Sequence, residues 1–264
     1  MTITQLISEA IRAAILAGKT INEIYASADY SISIKADQTP VTRADHQAHQ
    51  IILKELNATK LPVLSEEGVH FEYSERKNWP LFWLVDPLDG TKEFIKRTDD
   101  FTVNIALIEK NKSIGGVIYS PVSTELYVGI PGIGSYKIVN PEDDDSFELI
   151  QEKGIKLPVE QVKNEYRVAI SRSHLNPETE VYIEKLKQQY SAIRFILRGS
   201  SLKTCMVAEG TADTYPRHGK TMEWDTAAGH AIAKAAGKNI YHTDLKTELT
   251  YNKESLYNPY FIVL

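Results

Sequence analysis

An apolar run that ends on two carboxylates, Leu81-Phe82-Trp83-Leu84-Val85-Asp86-Pro87-Leu88-Asp89-Gly90-Thr91, constrains this chain more than any other stretch. The run Leu81 to Val85 reads as a buried strand. Pro87 has no N–H to give a ladder, so the spacing predicts that pairing stops there. Asp89-Gly90 reads as a turn. Asp86 and Asp89 then sit at the mouth of a strand, on a backbone held by Pro and Gly. A strand followed by an acidic turn, with Asp89 bonding its own backbone, accounts for these residues. A cation site accounts for them too, because hard divalent ions take carboxylate oxygens.

Two other stretches bear on that choice. Leu64-Ser65-Glu66-Glu67 closes a short apolar run upstream, and Glu223-Trp224-Asp225-Thr226-Ala227-Ala228-Gly229-His230 lies far downstream. Asp86 to Phe94 resembles the Asp-Pro-Leu/Ile-Asp-Gly-Thr motif of the inositol monophosphatase family. The other two stretches resemble that family's companion motifs, and they occur in the same order. The resemblance runs from about Ile3 to the C-terminus. It implies a Mg²⁺-dependent phosphomonoesterase with an α+β fold, a layered αβαβα sandwich of the sugar-phosphatase type.

Composition is ordinary for a soluble globular protein. The 264 residues suit one large domain or two subdomains. Hydrophobic content of 42%, charged content of 25% and a net charge of −5 call for neither nucleic acid nor an anionic membrane surface. Cys205 is the single cysteine, which excludes an internal disulfide and fits a reducing cytoplasm. It reads as a packing residue. No apolar run approaches ~18 residues, so no membrane span is expected. The expected location is cytoplasmic, with peripheral association at the inner membrane and the oligomeric state left open.

In chain order, residues 3–26 carry apolar side chains at helical spacing, with Gly18 as a point of interruption or bending. Residues 31–37 alternate as a strand. Thr42 and Asp45 have the spacing of a capping box, opening a helix to about Asn57. Residues 69–80 are polar and read as a mobile loop. Strands are expected over 101–108, 114–119, 125–130 and 135–139, an antiparallel meander. Gly132 and Gly134 belong to a hairpin, since no helix follows them. The acidic run Glu142-Asp143-Asp144-Asp145 reads as a solvated linker within 140–165. The division falls there: an N-terminal helix pair and antiparallel sheet over 1–140, and a mixed α/β half over 141–264. In the second half, strands over 166–171, 193–197 and 212–215 alternate with helices over 177–190, 202–209 and 226–236.

The resemblance assigns roles that the residues alone leave open. Glu66, Asp86, the carbonyl of Leu88, Asp89 and Asp225 would hold two or three Mg²⁺. Thr91 would polarise a metal-activated water, with Asp45 behind it and Glu66 beside it. Read alone, Asp45 is a capping residue and Asp225 an N-cap.

The substrate reading rests on finer detail. Gly90-Thr91-Lys92-Glu93-Phe94 departs from the Gly-Thr-x-Asn-Phe common in inositol monophosphatases. With Gly199-Ser200-Ser201-Leu202-Lys203, it resembles the bacterial 3′-phosphoadenosine 5′-phosphate phosphatases. This implies substrate contacts from Glu66, Leu88, Asp89, Gly90, Thr91, His174, Ser200, Lys203, Arg217 and Asp225. The ordinary readings are a solvated helix lysine for Lys203 and surface loop charges for His174 and Arg217. The expected activity is release of the 3′-phosphate from 3′-phosphoadenosine 5′-phosphate. The alternatives are an inositol or sugar monophosphatase of the same fold, and a non-catalytic nucleotide or Mg²⁺ sensor.

Overall fold

The computed structural model describes residues 1–27, 30–34, 40–69, 71–159, 164–171 and 176–264. Its centre is a seven-stranded sheet of, in spatial and chain order, Val63–Ser65, Leu81–Asp89, Thr102–Glu109, Lys112–Ser120, Glu125–Ile130, Gly134–Val139 and Ile155–Leu157. The first pair is parallel and the others are antiparallel. Short hairpin loops join the four strands from Thr102–Glu109 to Gly134–Val139, as the expected meander requires, while longer connections that each hold a helix bring Leu81–Asp89 and Ile155–Leu157 to either side of them.

One face of this sheet is covered by the helices Ile3–Ser27 and Arg43–Leu56. Ile7, Ile11, Ile15 and Ile21 of the first helix are completely buried there. Each such side chain contributes about 1.5–3 kcal/mol by leaving water. The other face is covered by the helix Glu223–Ala235, with Leu202–Glu209 packed against it. Beyond these helices, Tyr166–Ser171 and Ile193–Arg198 pair in parallel. A bridge from Val168 to Thr214 links that pair to Tyr215–Arg217, Phe261–Val263 and Ile240–His242. The helix Pro177–Gln189 packs on Tyr215–Arg217 and completes the layers as helix, sheet, helix, sheet, helix.

Several expectations need correction. The long first helix runs unbroken through Gly18, whose missing Cβ would fall 2.4 Å from the Tyr119 ring. That glycine provides a close approach and no bend. The Leu81–Asp89 strand continues past Pro87, because its register shifts between Asp86 opposite Asn104 and Asp89 opposite Thr102. The irregularity absorbs the residue that cannot donate. The stretch 69–80 holds a short helix, Tyr73–Arg76, and Arg76 is buried, donating to Asn252 Oδ1 and to the Glu254 carbonyl. Residues 140–159 are more than a linker: Phe147–Lys153 is a helix whose Phe147 and Ile150 are fully buried, and Ile155–Leu157 joins the large sheet. Of the acidic run itself, Glu142 and Asp144 are exposed as expected, while Asp145 is buried and accepts from the Glu142 N–H. The third strand expected in the C-terminal half lies at Tyr215–Arg217.

Two glycines bring the downstream acidic motif to the sheet. A Cβ on Gly116 would sit 2.2 Å from the Ala228 carbonyl oxygen, and one on Gly129 would sit 2.6 Å from the Ile232 Cα. Both contacts are with the backbone of the Glu223–Ala235 helix. We expect Gly116→Ala to destabilise the protein by about 1–3 kcal/mol or more, because the helix must move as a body. Urea unfolding measures this, and an unchanged midpoint would show that the helix has room to shift.

Candidate active site

Parallel pairing places the first two carboxylates side by side. Ser65 is in register with Val85, and the Glu66 N–H donates to the Val85 carbonyl at 3.1 Å. Glu66 and Asp86 therefore leave neighbouring strands at the same level. Asp225 arrives from the opposite layer on the helix seated over Gly116. Carboxylate oxygens of Glu66, Asp86 and Asp225 all lie within 4.8 Å of one another.

The cluster is electrostatically costly. Burial pushes the Asp86 carboxyl well above the usual carboxylate range, and the charges of Glu66, Asp89 and Asp225 push it further. Burial, Asp89 and Glu66 raise Asp225 in the same direction. An all-oxygen donor set of this kind fits a hard divalent cation, and a bound cation removes the repulsion. Asp225 is the third residue of its helix, not the expected N-cap. Its Oδ2 accepts from the Met222 N–H at 2.9 Å, so the carboxylate reaches back over the helix start.

The strand end is held by its own side chains. Asp86 Oδ1 accepts from the Leu88 N–H at 3.0 Å. Gly90, at φ 98°, turns the chain into the short helix Thr91–Ile95. Thr91 Oγ1 lies 3.0 Å from Asp45 Oδ1 and 3.3 Å from the Leu88 carbonyl. The carboxylate is the nearer and the charged acceptor, so it takes the hydroxyl proton. Asp45 Oδ2 meanwhile accepts from both the N–H and the hydroxyl of Thr42, at 2.8 and 2.6 Å. The capping box and the contact to Thr91 thus coexist on one carboxylate. Burial raises the Asp45 carboxyl, and the bonds from Thr42 and Thr91 partly offset that rise.

Glu66, Asp86, Leu88, Asp89, Gly90, Thr91, Ser200, Lys203, Arg217 and Asp225 line one cleft of about 290 Å³. Lys203 is not the solvated helix lysine of the ordinary reading. It is buried, donates to the Ser200 carbonyl at 2.7 Å and lies 5.1 Å from the centre of the Tyr215 ring. Burial lowers its ammonium to about 8, against the pull of Asp89. Ser200 Oγ and Arg217 Nε are buried polar atoms with no partner among the described residues. His174 lies outside the described residues.

A protein-family model described as the inositol monophosphatase family matches residues 2–259. The chain belongs to that family. Named relatives of this inositol monophosphatase-family protein point one way. The Shigella flexneri 3′(2′),5′-bisphosphate nucleotidase CysQ is 43% identical over 251 residues, covering 94% of each chain. The Haemophilus influenzae protein of the same name is 34% identical over 262 residues, 98% of this chain and 92% of its own. Among solved structures, CysQ from Bacteroides thetaiotaomicron, a bacterial member of the family, matches with TM-score 0.90 at 48% identity, over 98% of this chain and 96% of that one. The layered αβαβα expectation therefore agrees both with the observed layers and with this neighbour.

Two polar residues around Asp89 were not singled out from the sequence. Ser201 Oγ is 2.7 Å from Asp89 Oδ2, and Asn104 Nδ2 is 2.8 Å from Ser201 Oγ. Asn104 carried a usable signal: a lone amide inside an apolar strand, Val103-Asn104-Ile105-Ala106, must find a partner. Ser201 carried none, since its neighbour Ser200 had equal claim.

Proposed function

We propose that the protein is a Mg²⁺-dependent 3′(2′),5′-bisphosphate nucleotidase that converts 3′-phosphoadenosine 5′-phosphate to AMP and phosphate. The observation that carries this reading is the buried lysine in the same cleft as the carboxylates. The carboxylates would hold the cations that serve the phosphate to be cleaved, and Lys203 with Ser200 and Arg217 would take the phosphate that is kept. Glu66, Asp86, the Leu88 carbonyl, Asp89 and Asp225 would hold two or three ions between them. Bound divalent cations lower the pKa of water and neutralise charge on a phosphoryl group.

The chain's own residues supply the rest. Thr91 gives its proton to Asp45, so its oxygen faces the cleft as an acceptor. It orients a water for in-line attack on phosphorus and draws the water's proton toward Asp45. Asp45 is buried and its carboxyl raised, so it is suited to share that proton. The strand-to-helix turn at Gly90 holds Thr91 in place.

Phosphate release from adenosine 3′,5′-bisphosphate and from inositol 1-phosphate, measured side by side in saturating Mg²⁺, tests the assignment. A higher kcat/KM for inositol 1-phosphate would overturn it in favour of a monophosphatase. Lys203→Ala separates the two phosphates further. A charge-assisted contact is worth about 1.5–3 kcal/mol, so the bisphosphate should lose roughly ten- to hundred-fold in kcat/KM while a simple monophosphate ester loses little. An equal loss for both would make Lys203 a support of the common site. The lysine also sets a pH signature. Above about pH 8 it sheds its proton, so KM for the bisphosphate should rise there in the parent and stay flat in Lys203→Ala.

A further inference from the structure

Asp89 differs from the other carboxylates in what surrounds it. The mutually close set contains Glu66, Asp86 and Asp225, and Asp89 is not among them. Its Oδ2 is instead engaged from the side by Ser201 Oγ at 2.7 Å and Asn104 Nδ2 at 3.4 Å. Ser201 and Asn104 are both buried.

The hydrogen bonds around Asp89 run in one direction. Asn104 Oδ1 is 2.9 Å from Thr102 Oγ1, and Asn104 Nδ2 is 2.8 Å from Ser201 Oγ. A flipped amide would set its carbonyl oxygen against the Asp89 carboxylate, so the nitrogen must face that side. Asn104 therefore donates into the Ser201 oxygen. Ser201 then has one proton and two acceptors, Asp89 Oδ2 at 2.7 Å and the Asp225 carbonyl at 2.9 Å. The carboxylate is nearer and charged, so it takes the proton. The chain Thr102 to Asn104 to Ser201 ends on Asp89 Oδ2 and fixes that oxygen from the side. Ser201 also lies against the backbone of Asp225, so one hydroxyl touches two elements that carry acidic ligands.

We propose that Ser201, polarised by Asn104, is a positioning residue that turns Asp89 so that Oδ1 alone faces the cation site. This rests on the metal-dependent reading above and deepens it. Removing a partner of this kind from a metal ligand typically costs 10–100-fold in metal affinity.

The test is a Mn²⁺ titration of the substrate-free protein, with free Mn²⁺ counted by electron paramagnetic resonance. Mn²⁺ takes the same oxygen ligands as Mg²⁺. Ser201→Ala should weaken Mn²⁺ binding by roughly ten-fold or more, and Asn104→Ala by a smaller factor in the same direction. Both variants should then need more Mg²⁺ for half-maximal turnover, with KM for the nucleotide little changed at saturating Mg²⁺. Parent-like Mn²⁺ affinity in a folded Ser201→Ala would overturn the proposal. Should that variant fail to fold, parent-like affinity in Asn104→Ala would overturn it instead. A parent that binds no Mn²⁺ would count against the metal-dependent reading itself.

Discussion

Asp86→Asn should abolish phosphate release and at the same time stabilise the metal-free protein. The two effects have one cause. Asp86 is buried at the centre of the acidic cluster, where burial and four neighbouring carboxylates, Glu66, Asp89, Asp225 and Asp45, oppose its charge. An amide of the same shape removes that charge and one cation contact together. Loss of a cation's charge compensation costs several kcal/mol of transition-state stabilisation, or about a thousand-fold or more in kcat. The stability effect has a definite pH dependence. The folded carboxyl is raised, so the folded state holds its proton at pH values where the unfolded chain has released it. Stability of the metal-free parent therefore falls as pH rises from the ordinary carboxylate range through the raised value. In Asp86→Asn this fall should be shallower, with the remaining slope shared by Asp225, Asp45 and Glu223, whose carboxyls are raised in the same direction. Melting in chelator across pH, beside turnover in saturating Mg²⁺, checks both halves. A variant that is inactive and also less stable at neutral pH would overturn the stability half, because the amide oxygen can still accept from the Leu88 N–H.

Thr91→Ala should lower kcat by about 10²–10⁴-fold, the usual range for a group that handles a proton in the transition state. KM should change little, because the hydroxyl is placed to act on water and not on the bound ester. Asp45→Asn should reproduce most of that loss. The double variant should then be scarcely worse than either single one, since the two residues act in series. Asp45→Asn carries an added stability cost, because Asp45 accepts both bonds from Thr42 at the start of its helix. Cap losses of that kind are about 1 kcal/mol. A Thr91→Ala variant with normal kcat and raised KM would make Thr91 a substrate-binding residue.

Local chemistry was legible in the sequence wherever it was self-contained. The helix Leu202–Glu209, the strand Tyr166–Ser171 and the capping box at Thr42 follow from spacing and punctuation. The acidic residues were legible through motifs, and parallel register with close helix packing gave them their geometry. What escaped depended on distant partners. Arg76 looks like a loop charge until Asn252 and Glu254 are seen to receive it. Pro87 looks like a strand stop because its register shift depends on the facing strand. The edge strand Ile155–Leu157 is too short to announce itself, and the sheet supplies its reason to form. Lys203 gives no sign in sequence that its ammonium is buried over Tyr215.

The seating of the Glu223–Ala235 helix over Gly116 and Gly129 has a consequence for the order of events in biosynthesis. Glu66 and Asp86 are brought together by strands in the first third of the chain, while Asp225 emerges from the ribosome only after most of the protein has been made. A nascent chain with its large sheet formed holds two of the three clustered carboxylates and an open groove over its glycines. Docking of the late helix closes that groove and completes the carboxylate cluster in the same step. On the metal-dependent reading, a cation that needs all three carboxylates would bind the finished protein and not its precursors, and would draw the last folding step forward by mass action.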